Sequence, residues 1–317
     1  MQAQGFLKFS LPNQTEWHEG ILSSQGPESE QRFWMKPFGG QAMGFSFKES
    51  ESIQIQPISE PFQPGFESSK SEYVHLVSQA IESCAHGMKK VVCSRTKFVS
   101  ANPENWKTWL VQLRAKFPKA FVYFAHIPGH GHWIGATPEV LIQKERNQMS
   151  TMALAGTKWG DEPFEQKEFD EQQLVTDTIL DDLDLGSGHA GLRYERSFGE
   201  IRHLCTDIVF DSARPIHEIA EALHPTPAVC GMPKQDARAF LARFEGYDRS
   251  LYTGYLLIDG MAESSAAFVN LRCARIFQNG LRFYIGGGIN KDSNPENEWE
   301  ETERKLQVMM NAIQLHD

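Results

Sequence analysis

Apolar residues recur three and four positions apart in SEYVHLVSQAIESCAHG (71–87) and in PENWKTWLVQLRAKF (103–117), the spacing that lines one face of an α-helix. Between them, KKVVCSRTKFV (89–99) has the compact apolar run of a strand. FVYFAHIP (121–128), HWIGATPEVLIQ (132–143) and MSTMALAGT (149–157) follow as three strand-like runs, and their short connections predict antiparallel pairing. Helical spacing returns over 164–182, IRHLCTDIVFDS (201–212) reads as a strand, and HEIAEALHP (217–225) as a helix stopped by its proline. LYTGYLLID, AAFVNLRCARIF and LRFYIGGGIN predict consecutive strands of a meander, closed by a helix from 295 to the end. Ahead of these, residues 1–70 mix short apolar pieces with Gly, Ser and Pro, which predicts short strands, turns and a connecting segment. Strands and helices come in groups, so the expected class is α+β and not a doubly wound parallel sheet. Without a repeat or a strong linker, a single domain over 1–317 is expected, with 1–70 its least defined part.

Composition narrows the function. The chain has 317 residues, 40% of them hydrophobic, and can bury a large core. A net charge of −10 argues against a coat for nucleic acid, whose phosphates are neutralised by Lys and Arg. A small anionic substrate would instead need a local cluster of cations. The five cysteines (Cys84, Cys93, Cys205, Cys230, Cys273) are scattered and form no C-x-x-C pair, which suggests neither a disulfide framework nor a zinc site. The first residues lack the charged and apolar regions of a secretory leader, and no run approaches the roughly 18 apolar residues of a membrane span. A reduced, cytoplasmic protein with no membrane partner is expected.

The chemistry lies in carboxylates that need a cation. In KEFDEQQLVTDTIL, Glu168 and Glu171 share a helix face, and Leu174, Val175 and Thr178 extend the stripe through Glu171, which predicts that Glu171 turns inward. A carboxylate removed from water requires a cation or several donors; a Lys167–Glu171 surface pair is the plainer alternative. SNPENEWEETERKLQVMM repeats the device: Asn294 can cap, Pro295 suits the first helical position, and Glu298, Glu301 and Lys305 form one stripe. Acidic residues in a first turn also simply complement the helix dipole. Four convergent carboxylates would suit a hard cation such as Mg²⁺. Lys90 opens a strand, where burial could turn its amine into a base, although a solvated lysine is the commoner case. Glu139 follows Gly-Ala-Thr-Pro, Arg272 lies inside a strand-like run where it must point outward or meet an anion, and the Gly286–Gly287–Gly288 triplet either admits a ligand to the backbone or marks a bulge or turn.

Taken in order, KKVVCSR, GATPEVL, ALAGT, KEFDEQQLV, RHLCTDI, LHPTPAVCG, YDRSLYTG, FVNLRCARI, FYIGGGI and EWEETERKL resemble the chorismate-utilising enzymes: isochorismate synthase, salicylate synthase and the large subunits of anthranilate and aminodeoxychorismate synthases. The resemblance spans about residues 89–306. It implies the anthranilate synthase component I-like fold, two packed antiparallel sheets flanked by helices around a cleft. It further implies Glu171 and Glu301 as direct Mg²⁺ ligands, Glu168 and Glu298 as outer carboxylates holding metal-bound waters, Lys90 as general base and Glu139 as general acid. Arg272, Tyr284, Lys305 and the backbone of Gly286, Gly287 and Gly288 would hold the substrate carboxylates, with Gly156, His203 and Ala228 lining the cleft. LHPTPAVCG resembles isochorismate synthases, so water is the expected nucleophile on chorismate, with no glutaminase partner and a monomeric enzyme. Salicylate synthase is the nearest alternative; an amino-transferring enzyme and a non-catalytic binding module are further ones. Gln172, Cys93 and Asn270 depart from the family pattern.

Overall fold

Among the described residues, sixteen strands hydrogen-bond edge to edge in one continuous antiparallel run. The computed structural model describes residues 4–24, 31–50, 53, 55–62, 67–198, 201–261 and 264–315; part of the connecting segment expected before residue 70 lies outside these. One arm of the run carries, from its edge, Tyr194–Phe198, Ile201–Asp211, Gln148–Trp159, Val140–Glu145, Ser264–Val269 and Tyr255–Met261. The middle is made by the four N-terminal strands Arg32–Lys36, Met43–Glu49, His18–Ser23 and Gly5–Ser10. The other arm carries Phe121–Ile127, Gly131–Thr137, Cys273–Phe277, Gly280–Ile289, Lys90–Ser100 and the short Gly231–Met232.

The run bends back on itself, because the apolar faces of both arms must be covered. Phe121 of the second arm stacks on Phe268 of the first with ring centroids 4.4 Å apart. Leu7, Phe33, Tyr123, Trp133 and Leu256 fill the space between. The two packed sheets expected from the sequence are thus the two arms of one ladder, and the mixture with helices is α+β.

Six α-helices occur among the described residues: α1 (Lys70–Ala85), α2 (Trp106–Lys116), α3 (Gln166–Asp182), α4 (Ile216–Leu223), α5 (Lys234–Phe244) and α6 (Pro295–Ala312). Helices α2 and α6 cover the outer face of the second arm through Trp106, Leu110, Leu113, Leu306 and Met310, packed on Phe283 and Leu281. Each such buried side chain contributes about 1.5–3 kcal/mol. Helices α3 and α4 cover the first arm, and α1 and α5 flank the strand that begins with Lys90. Local chemistry sets the ends. Ser69 and Glu72 form a capping box at α1. At α6, Asn294 Oδ1 accepts the N–H groups of Glu296 and Asn297, each at 3.1 Å, and Pro295 occupies the first turn.

Three expectations change. The meander over 251–290 does not form, since AAFVNLRCARIF breaks after Val269 and its halves join opposite arms. Arg272 sits at the break with φ 47°, a left-handed conformation that a strand interior does not accept. HWIGATPEVLIQ breaks likewise, between Gly131–Thr137 and Val140–Glu145, at Pro138, which has no N–H for the ladder. On α3 the buried stripe runs through Glu168, Gln172, Val175, Thr176 and Ile179, one residue away from the stripe expected through Glu171. Glu171 therefore lies at the boundary of the helix, its side chain 28% exposed.

Both broken strands cross between the arms, and the crossings are tied together. Val269 N–H donates to Glu139 O at 3.0 Å, Ala136 N–H to Arg272 O at 3.0 Å, and Thr137 Oγ1 to Val269 O at 2.5 Å. The fold thus sets Glu139 and Arg272 side by side where the layers part.

Candidate active site

Lys90 starts its strand beside Gly231–Met232, and its Nζ donates to Glu171 Oε1 at 2.6 Å. Room for the lysine comes from the glycine triplet: a Cβ on Gly288 would lie 2.6 Å from Lys90 Cε, one on Gly286 would lie 2.8 Å from Tyr252 Oη, and one on Gly287 would lie 3.2 Å from Glu298 Oε2. The triplet is regular strand, paired in register with Ser94, Cys93 and Val92, and not a bulge or turn. Its missing side chains clear space on both faces of the sheet.

Burial pushes the Glu139 carboxyl up to about 7, against the pull of Lys90 and Arg272. Burial lowers Arg272 in turn, with Glu139 opposing. His203 is pushed down to about 4 by burial and then by Lys305, Lys90 and Arg272, with Glu171 opposing, so its ring is neutral near pH 7. Glu139, Lys90, Arg272, His203, Lys305 and Glu171 therefore act on one another across a single region, a local cationic pocket in an acidic chain. Glu139, Ala228 and Thr226 also line a small cavity of about 20 Å³ whose other walls include Leu141, Val175 and Leu223.

The carboxylates surround this region in ion-paired form. Lys90 holds the Glu171 carboxyl below its ordinary value, partly offset by burial. Lys305 pairs with Glu301 at 2.7 Å and also donates to Gly286 O at 2.9 Å. Burial and the neighbouring Glu301 push Glu298 above the ordinary carboxylate range, a sign of too much negative charge for the cations nearby. Glu168 is held on both oxygens: it accepts the Glu165 N–H at 2.9 Å and faces Lys158 Nζ at 3.5 Å. Among the described residues no three His, Cys, Asp or Glu side chains stand together as a ready metal cluster. The donor chemistry nevertheless fits a hard cation, which takes carboxylate oxygens and would exchange for the ammonium groups of Lys90 and Lys305 at Glu171 and Glu301.

Not every expected residue joins the group. Tyr284 is buried in a stack with Trp133 and Tyr252, and its hydroxyl meets Arg282. Gly156, at φ 70°, accommodates α3: a Cβ there would lie 2.9 Å from Glu168 O. Gln172 faces the sheet, its amide nitrogen 2.9 Å from Thr206 Oγ1, 3.0 Å from Thr176 Oγ1 and 3.2 Å from Ala153 O, so this departure from the family pattern serves to seat α3. Asn270 accepts Tyr123 Oη at 2.6 Å and donates to Leu251 O at 2.8 Å, which fixes the turn before Tyr252. Tyr252 lies in YDRSLYTG without a polar signal of its own; its hydroxyl faces Gly286, and burial above all, with the charge of Glu139 a lesser cause, opposes its ionisation. Beneath Lys90's strand, the buried Arg249 donates to Glu245 at 2.6 and 2.7 Å, to Val92 O at 2.5 Å and to Val229 O at 2.9 Å, joining three segments of the site.

The model of a family described as chorismate binding enzyme matches residues 43–314. The chain belongs to the chorismate binding enzyme family. Isochorismate synthase 2, chloroplastic, of Arabidopsis thaliana is 29% identical over 288 residues, covering 83% of this chain and 50% of that protein. Isochorismate synthase EntC of Escherichia coli is 28% identical over 312 residues, covering 92% of this chain and 77% of that protein. The chain therefore spans about half the length of the plant relative and about three quarters of the bacterial one. The crystal structure of anthranilate synthase component I from Streptococcus pneumoniae superposes with a TM-score of 0.70 at 16% identity, covering 98% of this chain and 92% of that chain. The anthranilate synthase component I-like fold expected from the sequence is thereby borne out.

Proposed function

We propose that this member of the family is an isochorismate synthase, isomerising chorismate to isochorismate with Mg²⁺. The observation that carries the reading is the pairing of opposed proton carriers in one cationic pocket: an amine, Lys90, and a carboxyl held up to about 7, Glu139, with Arg272 between the layers. An amine close to a carboxyl held up to about 7 offers one substrate both a base and an acid. Lys90 takes a proton from the water that attacks C2 of the substrate ring. Glu139 gives a proton to the hydroxyl leaving C4 as the double bonds shift, so the product is an isomer and no co-reactant is consumed. For Lys90 to act, its amine must leave the Glu171 carboxylate to which it donates at 2.6 Å. Glu171 and Glu301, with Glu168 and Glu298 behind them, would hold a hard cation, which would supply positive charge for the ring carboxylate. Arg272 and Lys305 supply the remaining charge complementarity, and the neutral His203, with Ala228, lines the cleft.

The relatives named isochorismate synthase support this reading over an amino-transferring one. Among the described residues no helix is long and apolar enough to cross a membrane. We place the enzyme in the cytoplasm as one domain and a monomer without a glutaminase, its product feeding menaquinone formation, with siderophore formation the alternative. The test is to incubate the protein with chorismate and Mg²⁺, with and without ammonium, and separate the products. Isochorismate alone is expected. Salicylate with pyruvate would make it a salicylate synthase, an aminated product an amino-transferring enzyme, and no conversion a binding module.

A further inference from the structure

Tyr73, in the first turns of α1, is 1% exposed, and its hydroxyl has no hydrogen-bond partner among the described residues. A buried, unpaired hydroxyl is costly, so its retention there needs a reason. Its ring is held against Trp299 of α6, centroids 5.9 Å apart. Its oxygen points to where Gly287 has no side chain: the Cβ position of that glycine is 3.7 Å from Tyr73 Oη, 3.2 Å from Glu298 Oε2 and 3.9 Å from Glu301 Oε1. Three oxygens thus converge on one spot, one a donor without an acceptor and two belonging to carboxylates. Of these, Glu298 has a hydrogen bond from Ser293 but, among the described residues, no lysine at ion-pair distance, whereas Glu301 has Lys305.

We propose that Tyr73 is a positioning residue for the metal site, its phenolic O–H donating to the Glu298 carboxylate and fixing that side chain when a divalent cation is bound. The proposal rests on the metal reading given above. A phenol suits the task because it donates one hydrogen bond, stays neutral and is stiffened by its ring packing. In the metal-free, ion-paired state the hydroxyl contributes nothing, while in the loaded state it holds the carboxylate that Glu301 repels. Groups that orient ligand carboxylates change metal affinity by about 10–100-fold when removed.

The test is calorimetric titration of the whole protein with Mn²⁺ or Mg²⁺ alone, for the wild type, Tyr73→Phe, Glu298→Gln and the double variant, with thermal midpoints measured in chelator and in saturating metal. The expected result for Tyr73→Phe is about tenfold weaker metal binding, a midpoint in chelator equal to or above that of the wild type, and no additional loss of affinity when Glu298 is already Gln. Equal metal affinity for Tyr73→Phe and wild type overturns the proposal. So does a midpoint loss that is the same with and without metal, since that would make the hydroxyl merely structural. If the wild type itself binds neither cation, the metal reading fails and this one with it.

Discussion

Replacing Glu139 by Gln should make the protein more stable and inactive, and the stability gain should depend on pH in one direction only. Burial moves this carboxyl from 4.5 to about 7 despite the nearby Lys90 and Arg272. Each tenfold in proton affinity is about 1.4 kcal/mol, so the ionised form is disfavoured in the folded protein by roughly 3 kcal/mol. Below about pH 4.5 the group is protonated both folded and unfolded, and it contributes no difference. As pH rises toward 7 the unfolded chain has lost the proton and the folded one keeps it, so stability falls. Above about 7 both are ionised and the full cost is present. An amide of the same shape carries no charge at any of these values. Urea denaturation of wild type and Glu139→Gln, in the absence of substrate, should show equal stability near pH 4.5 and an advantage of about 3 kcal/mol to the variant near pH 8. Turnover should be lost with the acid, and in the wild type kcat/KM should fall as pH rises through about 7. Equal stabilities near pH 8, or an advantage that grows toward acid, would refute the burial argument and with it the protonated acid.

Other substitutions separate space from charge. Gly288→Ala puts a methyl group 2.6 Å from Lys90 Cε, the flexible end of a side chain, so the fold should survive within about 1 kcal/mol while kcat falls at least tenfold through the displaced amine; steady-state kinetics with a thermal midpoint checks both. Arg249→Met strands the buried Glu245 and should cost about 3–5 kcal/mol in denaturation, whereas Arg249→Met with Glu245→Leu should recover most of it. Gly156→Ala meets Glu168 O and Cα, backbone that cannot swing aside, at a φ of 70°; a loss above about 1 kcal/mol and weakened docking of α3, seen as faster amide exchange in 166–182, should follow.

The sequence carried the fold where local patterns agree with tertiary ones. The spacing in α1 and α6, the Asn294 cap and the strand from Lys90 read directly, because one face of each is buried. Helix α5 was legible in Ala237, Phe240 and Leu241 but went unread beside stronger signals. The crossings at Pro138 and Arg272 were not legible as a change of layer, since a break in a strand says nothing about where the chain resumes. Periodicity on α3 misplaced the buried face by one residue because Gln172, polar in sequence, is seated on Thr206 and Ala153 O. In the site, residue types pointed to carboxylates needing cations, whereas their partners, Lys90 for Glu171 and Lys305 for Glu301, are set by tertiary and helical geometry together. Tyr73 and Tyr252 look like ordinary core aromatics in sequence; only the direction of each hydroxyl toward a glycine distinguishes them.

If this pocket adds water to chorismate and expels a hydroxyl from the same molecule, the product must carry an oxygen from solvent. Running the Mg²⁺-supplemented reaction in water enriched in the heavy oxygen isotope, with product masses read by chromatography and mass spectrometry, tests it most directly. The account predicts isochorismate carrying one solvent oxygen, formed by wild type and absent with Lys90→Ala. Unlabelled isochorismate, or labelled product at wild-type rate from Lys90→Ala, would contradict it.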